Sequence, residues 1–213
     1  LRRRAAALPG VAAPPTVFVV HDTVPARTLK EFVALAGARP GEFNAANPGT
    51  GSSIHLAQEL LFERTGIRLT NVSYKGQPPA LLDLGSGLLQ FALISQSLVL
   101  PLIQAGKVRA LAVNAATRTR SLPEVPTIAQ AGYPDILMQS WYGIGAPAHL
   151  DAAVLNQLSA ALKKTLQNPE LVKTIEQQSA IVDYQTPQQF RQTVERSNQA
   201  WARLVKDIAF EKM

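Results

Sequence analysis

Glycine and hydroxyl residues lie between a short apolar segment and an amphipathic one within Phe43–Leu61, FNAANPGTGSSIHLAQELL. Gly49 and Gly51 allow the backbone to turn tightly and to present its N–H groups. Three residues of the turn carry hydroxyls suited to capping a helix: Thr50, Ser52 and Ser53. The free N–H groups of a helix's first turn favour an anion by roughly 0.3–1 kcal/mol per charge. The chemistry expected here is the binding of a carboxylate.

Other motifs rich in glycine or serine do not fit this segment. No Gly-Lys-Ser/Thr follows for a P-loop, Gly49-x-Gly51 lacks the third glycine of a dinucleotide fingerprint, and no Gly-x-Ser-x-Gly elbow occurs. A hydrolase using Ser53, His55 and Asp83 is disfavoured, because side chains two residues apart on a helix diverge. By itself, the segment fits an ordinary turn and helix cap as well as an anion site.

Composition narrows the class of protein. The 213 residues are 46% hydrophobic and 17% charged, which is typical of a folded chain. The absence of cysteine excludes disulfides and thiolate sites, and the three scattered histidines suggest no metal or other cofactor. No apolar run approaches the roughly 20 residues that cross a bilayer.

The net charge of +6 does not point to nucleic acid. No predicted helix carries a stripe of Lys and Arg, and no aromatic residues interleave with the basic ones. A basic surface also attracts small organic acids, which agrees with the expected carboxylate.

Strands and helices alternate over the first two thirds of the chain. Predicted strands are Thr16–His21, Phe43–Ala46, Leu69–Tyr74, Leu88–Ile94 and Val108–Asn114. This alternation predicts an α/β fold with a parallel or mixed sheet covered by helices on both faces. Ligands bind such sheets outside the carboxyl ends of the strands. Three polar loops follow strand ends and are expected to converge: Asn47–Ser53, Lys75–Gln77 and Ser95–Ser97.

The two ends of the chain have a different character. Residues 1–15, LRRRAAALPGVAAPP, are expected to form an irregular leader, because the apolar run is too short for a signal peptide. After Pro147, three helices surround one short strand, Ile181–Tyr184. The apolar faces of these helices therefore need a sheet that this part of the chain lacks.

Four segments together resemble the Bug family, the solute-binding proteins of tripartite tricarboxylate transporters. They are NAANPGTGSSIHLAQELL, VSYKGQPPALLDLGSG, GKVRALAVNAATRTRSLPEVPTIAQAGYPD and SWYGIGAPAHLDAAVLNQLSAAL. The likeness covers nearly the whole chain from Thr16 to Ile208, in the order that the family shows.

The resemblance implies a periplasmic binding protein fold, type II-like, with two α/β lobes that close on a ligand at the hinge. It implies that the N-terminal part of the first lobe is absent, so that this lobe is incomplete. Residues 22–139 would be the second ligand-binding lobe. Residues 16–21 and 140–213 would be hinge crossings and the C-terminal part of the first lobe.

The resemblance also implies the ligand contacts. The family's second-lobe turn matches Asn47–His55, so Gly49, Thr50, Ser52, Ser53 and His55 would line the ligand. Lys75 and Gly76 match a second loop. Lys75 is the only cation in the three converging loops and would pair with the carboxylate. Ser95 opens the third loop, which varies in the family and would tune specificity.

The implied function is capture of a small carboxylate, without catalysis or cofactor, in the periplasm. The implied partners are the membrane subunits of the transporter, and a homodimer would cover the incomplete lobe. Two alternatives stay open. One is a truncated fragment without function, and the other is the ligand-sensing domain of a transcription regulator, although no helix-turn-helix is present.

Overall fold

The computed structural model describes residues 5–138, 140–147, 149–177 and 180–207. Its elements divide into two compact units. Unit 1 combines Leu1–Pro14 with Ser140–Arg203, and unit 2 combines Pro15–Gln139 with Leu204–Met213. Residues 1–4 of the predicted leader, the predicted boundary at residue 139 and the segment 208–213 lie outside the described residues.

The strands are β1 (Ala5–Ala13), β2 (Thr16–His21), β3 (Asn44–Asn47), β4 (Thr70–Ser73), β5 (Phe91–Ser95), β6 (Val108–Asn114), β7 (Tyr142–Pro147) and β8 (Ile181–Gln185). The helices are α1 (Leu29–Ala38), α2 (Ser53–Thr65), α3 (Gln77–Ser86), α4 (Gln96–Gln104), α5 (Ala152–Thr165), α6 (Pro169–Gln177) and α7 (Pro187–Asp207). A short 3-10 helix spans Pro134–Ile136.

Unit 2 is built on a five-stranded sheet in the order β4-β3-β5-β2-β6. β3 runs parallel to β4 and to β5, whereas β2 runs antiparallel to β5 and β6. The sheet is therefore mixed, as the alternation of elements predicts. β2, predicted as a hinge crossing, lies between β5 and β6 within this sheet.

Aromatic and β-branched side chains form the core of unit 2. Every residue of β2, TVFVVH, is buried, because the strand is central and covered on both faces. The rings of Phe32 and Phe91 stack with their centroids 4.6 Å apart. Phe91 also packs at 6.1 Å from Phe18 and at 6.0 Å from Phe62. This aromatic cluster fixes α1 and α2 against the strands.

The sequence of α2 specifies both of its ends. The Ser52 hydroxyl caps the first turn by accepting a hydrogen bond from the His55 N–H at 3.2 Å. Gly66 ends the helix in the left-handed conformation, with φ of 70°, and its N–H donates to the Phe62 carbonyl at 2.8 Å. The helix therefore begins directly after the glycine-serine turn.

Unit 1 contains a three-stranded antiparallel sheet in the order β7-β1-β8. The predicted irregular leader is corrected here, because Ala5–Ala13 is the central strand. Pairing with β7 and β8 supplies the order that this Ala- and Pro-containing sequence does not encode locally. Pro9 falls where the register with β7 shifts, between Ala7 and Gly10, which accommodates a residue without an N–H. The helices after Pro147 thus do have a sheet.

Helix α7 packs on this sheet through Phe190, which is 4% exposed. The ring meets the strands where glycines leave room, since a side chain at Gly143 would overlap it. Trp141 makes an edge contact with the Phe190 ring at 5.0 Å. By contrast, Val154 and Leu158 of α5 are each 41% exposed, so the predicted apolar face of α5 is only partly covered.

Among the helices in the described ranges, none combines the length and the hydropathy that crossing a bilayer would require.

Candidate ligand-binding site

Asn47 organises the turn at the end of β3. Its side chain is buried, and its Oδ1 accepts a hydrogen bond from the Gly49 N–H at 3.1 Å. Its Nδ2 donates to the Thr50 hydroxyl at 3.3 Å. Gly49 and Gly51 have φ of 152° and 76°, in the region that favours glycine. The turn is thus held from inside by one amide side chain.

The first turn of α2 presents backbone donors at this site. Within the described ranges, the N–H groups of Thr50, Ser53 and Ile54 have no hydrogen-bond partner. Thr50 and Ser53 are exposed. Ser52 is occupied as the cap, because its hydroxyl accepts from the His55 N–H. The turn therefore combines free N–H groups with the positive end of a helix dipole, as an anion site requires.

His55 is buried beneath the turn, with 4% of its surface exposed. Its Nδ1 lies 3.2 Å from the Gly51 nitrogen, whose N–H donates to it. Its Nε2 lies 3.4 Å from the Glu59 Oε1, one helical turn further along α2. These contacts brace the turn, and a direct contact between His55 and a ligand stays a prediction.

The loop after β4 lies against the same turn. The Tyr74 N–H donates to the Asn47 carbonyl at 2.8 Å, and the Gly76 N–H donates to the Pro48 carbonyl at 3.1 Å. Gly76 has φ of 103° and stands at the start of α3. The Lys75 side chain is exposed. These hydrogen bonds hold the loop against the glycine-serine turn. Lys75 therefore lies on a loop that is joined directly to that turn.

Tyr74 ties the same loop to α3. Its hydroxyl donates to the Asp83 Oδ2 at 2.7 Å. Burial, together with the hydrogen bond to Asp83 and the negative charge of Asp83, raises the pKa of Tyr74 to about 12. The phenol stays protonated at neutral pH and serves as a hydrogen-bond donor.

The third loop begins at Ser95, which ends β5 and precedes α4. The Ser95 N–H donates to the Gln77 Oε1 at 2.6 Å, which joins this loop to the start of α3. The Ser95 side chain makes no capping hydrogen bond. The next residue, Gln96, is fully buried, and its amide oxygen and nitrogen have no partner among the described residues. This end of β5 thus holds unused polar groups.

The three loops share one edge of the sheet, because β3, β4 and β5 run parallel and all end there. The residues predicted as ligand contacts are Gly49, Thr50, Ser52, Ser53, His55, Lys75, Gly76 and Ser95, and all lie in these loops or in the first turn of α2. Asn47 and Gln77 lie within the predicted loops but were not predicted as site residues, and their side-chain hydrogen bonds hold the loops. An Asn before Pro-Gly at a strand end is a signal that could have identified Asn47.

A separate cavity of about 330 Å³ lies at the opposite edge of the sheet, where β6 begins. Asp22, Arg109 and Val125 are among its lining residues. The Arg109 Nη1 donates to the Val24 and Ala26 carbonyls, at 3.1 and 2.8 Å. In the parts of the chain that the structure describes, no group of three or more acidic or histidine side chains is placed to hold a metal.

Comparison with known proteins identifies the family of this chain. Residues 5–210 match the family described as the tripartite tricarboxylate transporter family receptor, TctC. The protein BugT of Bordetella pertussis is 33% identical over 193 residues, which cover 91% of this chain and 59% of BugT. The chain thus spans about three fifths of the length of this relative.

Two solved structures share the fold. Rpa4515 of R. palustris, determined with adipate, is 28% identical with a TM-score of 0.86, and the match covers 97% of this chain and 69% of that one. The periplasmic binding protein BugD is 27% identical with a TM-score of 0.83, over 98% and 71% of the two chains. The fold is therefore that of a type II-like periplasmic binding protein, and this chain covers 69% and 71% of these two structures. The chain belongs to the tripartite tricarboxylate transporter receptor family, whose members are periplasmic solute-binding proteins and not enzymes.

Proposed function

We propose that this chain captures a small carboxylate where strands β3, β4 and β5 of unit 2 end. The captured acid would be delivered to a tripartite tricarboxylate-type transporter. The observation that carries the proposal is the set of unpartnered N–H groups of Thr50, Ser53 and Ile54, within the described residues, at the start of α2. Such groups hold a carboxylate oxygen through charge-assisted hydrogen bonds. The hydroxyls of Thr50 and Ser53 add donors of the same kind.

The charges around the turn support an anion rather than a cation. Lys75 is exposed on the neighbouring loop, whose Gly76 is hydrogen-bonded to Pro48 of the turn. Glu59 of α2 is acidic, but its carboxylate faces the ring of His55 at 3.4 Å. The net charge of +6 favours approach of organic acids.

The solved relative that carries adipate supports a linear dicarboxylate as the first ligand to examine. Capture by the N–H groups of one turn engages one carboxylate end. Ser95 lies at the next strand end, where its hydroxyl makes no capping hydrogen bond and is available for a further polar group of the ligand. The third loop would then distinguish between acids that share the first carboxylate.

Partnership with the transporter's membrane subunits and a periplasmic location are proposed from family membership. A second copy of the chain is the further partner proposed. Tyr142, Ile144, Val154 and Leu158 of unit 1 are each at least 40% exposed, and a homodimer would cover such apolar surface. Sedimentation that yields a monomer at micromolar concentration would exclude the homodimer.

Thermal-shift screening tests the function. The panel contains di- and tricarboxylates, nicotinate and acidic amino acids, with the neutral diamide of adipate as the matched control. A ligand at a concentration 100-fold above its Kd stabilises a protein by about 2.7 kcal/mol. We expect at least one acid, and not the diamide, to raise the Tm.

A substitution at the turn locates the effect. Ser53→Trp places a bulky side chain beside the free N–H groups and should abolish the stabilisation by the acid. Ser86→Trp, at the end of α3, is the control and should leave it unchanged. Stabilisation that survives Ser53→Trp would remove the turn from the site, and no stabilisation by any acid would favour the fragment without function.

A further inference from the structure

We infer that His55 is a positioning residue, whose ring fixes the ligand-binding turn from behind by holding the Gly51 N–H. Its effect on ligand affinity rests on the proposed function, but its effect on the turn does not. The ring is 4% exposed, so it is a support beneath the turn and not part of the surface that a ligand meets.

The hydrogen bonds determine which ring nitrogen carries the proton. The Gly51 N–H donates to Nδ1 at 3.2 Å, so Nδ1 must be the unprotonated nitrogen. The proton then lies on Nε2, which faces the Glu59 Oε1 at 3.4 Å. Glu59 thus selects the tautomer that can accept from the turn.

Glu59 is itself fixed by the sheet. The Asn71 Nδ2 of β4 donates to the Glu59 Oε1 at 2.6 Å. The Gln58 Nε2 lies 3.4 Å from the Asn71 Oδ1 and also donates to the Ala46 carbonyl of β3 at 3.1 Å. A continuous set of contacts therefore runs from Gly51 through His55 and Glu59 to the strands that end at the site.

Fixing one N–H orients the whole peptide unit. Because the peptide bond is planar, the hydrogen bond at the Gly51 nitrogen also sets the direction of the Thr50 carbonyl. Gly51 has φ of 76° and belongs to an exposed turn, where a glycine has many alternative conformations. The ring of His55 removes this freedom, and the N–H groups of Thr50 and Ser53 are then aligned before a ligand arrives.

Two substitutions separate the two ring nitrogens. His55→Asn places an amide oxygen at the δ position, where it can accept from the Gly51 N–H. His55→Gln places its amide one bond further, where it can reach Glu59 but not Gly51. Hydrogen exchange of the Gly51 amide is measured by NMR without ligand, and adipate affinity is measured by calorimetry.

For a positioning residue, the wild type and His55→Asn should protect the Gly51 amide equally. In His55→Gln, loss of one hydrogen bond should speed this exchange by roughly two- to tenfold and weaken adipate binding by a similar factor. The Gly66 amide, at the other end of α2, is the internal control and should exchange alike in all three proteins.

Protection of Gly51 that persists in His55→Gln would overturn the inference. So would an equal loss of adipate affinity in both variants with Gly51 still protected, because that result assigns a direct ligand contact to His55. If none of the three proteins binds adipate but Gly51 protection follows the Asn and Gln pattern, the positioning role is supported and the proposed ligand is wrong.

Discussion

The side-chain oxygen of Gln58 accepts a hydrogen bond from the backbone N–H of Leu93 at 3.2 Å, inside the core of unit 2. The nitrogen of the same amide donates to the Ala46 carbonyl at 3.1 Å. β3 and β5 share one register pair, Ala45 with Phe91. Gln58 therefore links the two strands where their own ladder ends, just before both loops of the candidate site.

Replacing Gln58 with Leu should destabilise the protein strongly. The substitution leaves the Leu93 N–H and the Ala46 carbonyl buried without this partner, and each unpaired group costs about 1–3 kcal/mol. Chemical denaturation of the variant and the wild type measures the loss. Gln104→Leu is the control, because Gln104 is exposed at the end of α4 and should change stability by less than about 0.5 kcal/mol. Equal stability of the two variants would contradict the role assigned to Gln58.

Tyr74 should titrate later than an ordinary tyrosine. Its folded pKa of about 12 lies above the unfolded value of 10.0, so its contribution to stability is complete below pH 10 and is lost as the pH rises towards 12. Both the wild type and Tyr74→Phe are titrated by ultraviolet absorbance. The difference between the two titration curves should show one phenol with a pKa near 12. A difference spectrum centred near pH 10 would contradict the hydrogen bond to Asp83. The variant should also lose about 0.5–1.5 kcal/mol of stability near pH 7.

Lys75→Gln should weaken the binding of a dicarboxylate modestly. The side chain is exposed, and an exposed charge pair contributes about 0.2–1 kcal/mol, which corresponds to at most about a fivefold loss of affinity. The loss should shrink at high salt, because exposed charges are screened. Calorimetry at two ionic strengths measures it. Lys107→Gln, at the opposite edge of the sheet, is the control and should bind the dicarboxylate as the wild type does. An equal loss of affinity in both variants would mean that Lys75 acts only through the net positive charge of the protein.

The elements with strong local patterns could be predicted from the sequence. The bounds of β2 and β6 agree with their predictions, since runs such as TVFVVH are apolar, β-branched and bounded by turn residues. The cap at Ser52 and the C-cap at Gly66 follow from the same local rules. The loops at the carboxyl ends of the strands could be predicted because the elements on either side of them have clear sequence patterns.

β1 could not be predicted, because its order comes from distant partners. The sequence AAALPGVAA has few strand-forming residues and contains Pro and Gly. The strands that pair with it, Tyr142–Pro147 and Ile181–Gln185, lie more than 100 residues further along the chain. The start of α3 at Gln77 is obscured for a related reason. Pro78 and Pro79 suggest a loop, but proline is tolerated in the first turn of a helix, where α3 begins at Gln77.

The inner supports of the site were also hidden from the sequence. His55 follows Ser52 and Ser53 in the sequence, but its burial and its hydrogen bond to Gly51, which support the inferred positioning role, depend on the fold. Asn71 and Gln58 lie on different elements, so their connection to Glu59 depends on the packing of α2 against β4. Local patterns indicate which residues reach a turn, but not which of them face inward.

A carboxylate is proposed to bind the N–H groups at the start of α2. The most direct test is an NMR titration of the chain, labelled with ¹⁵N, by adipate and by its neutral diamide. We predict that adipate shifts the amide resonances of Thr50, Ser53 and Ile54 more than any others, and that the diamide leaves them unchanged. Shifts confined to other residues, such as those lining the cavity at Asp22 and Arg109, or equal shifts from the diamide, would contradict the claim.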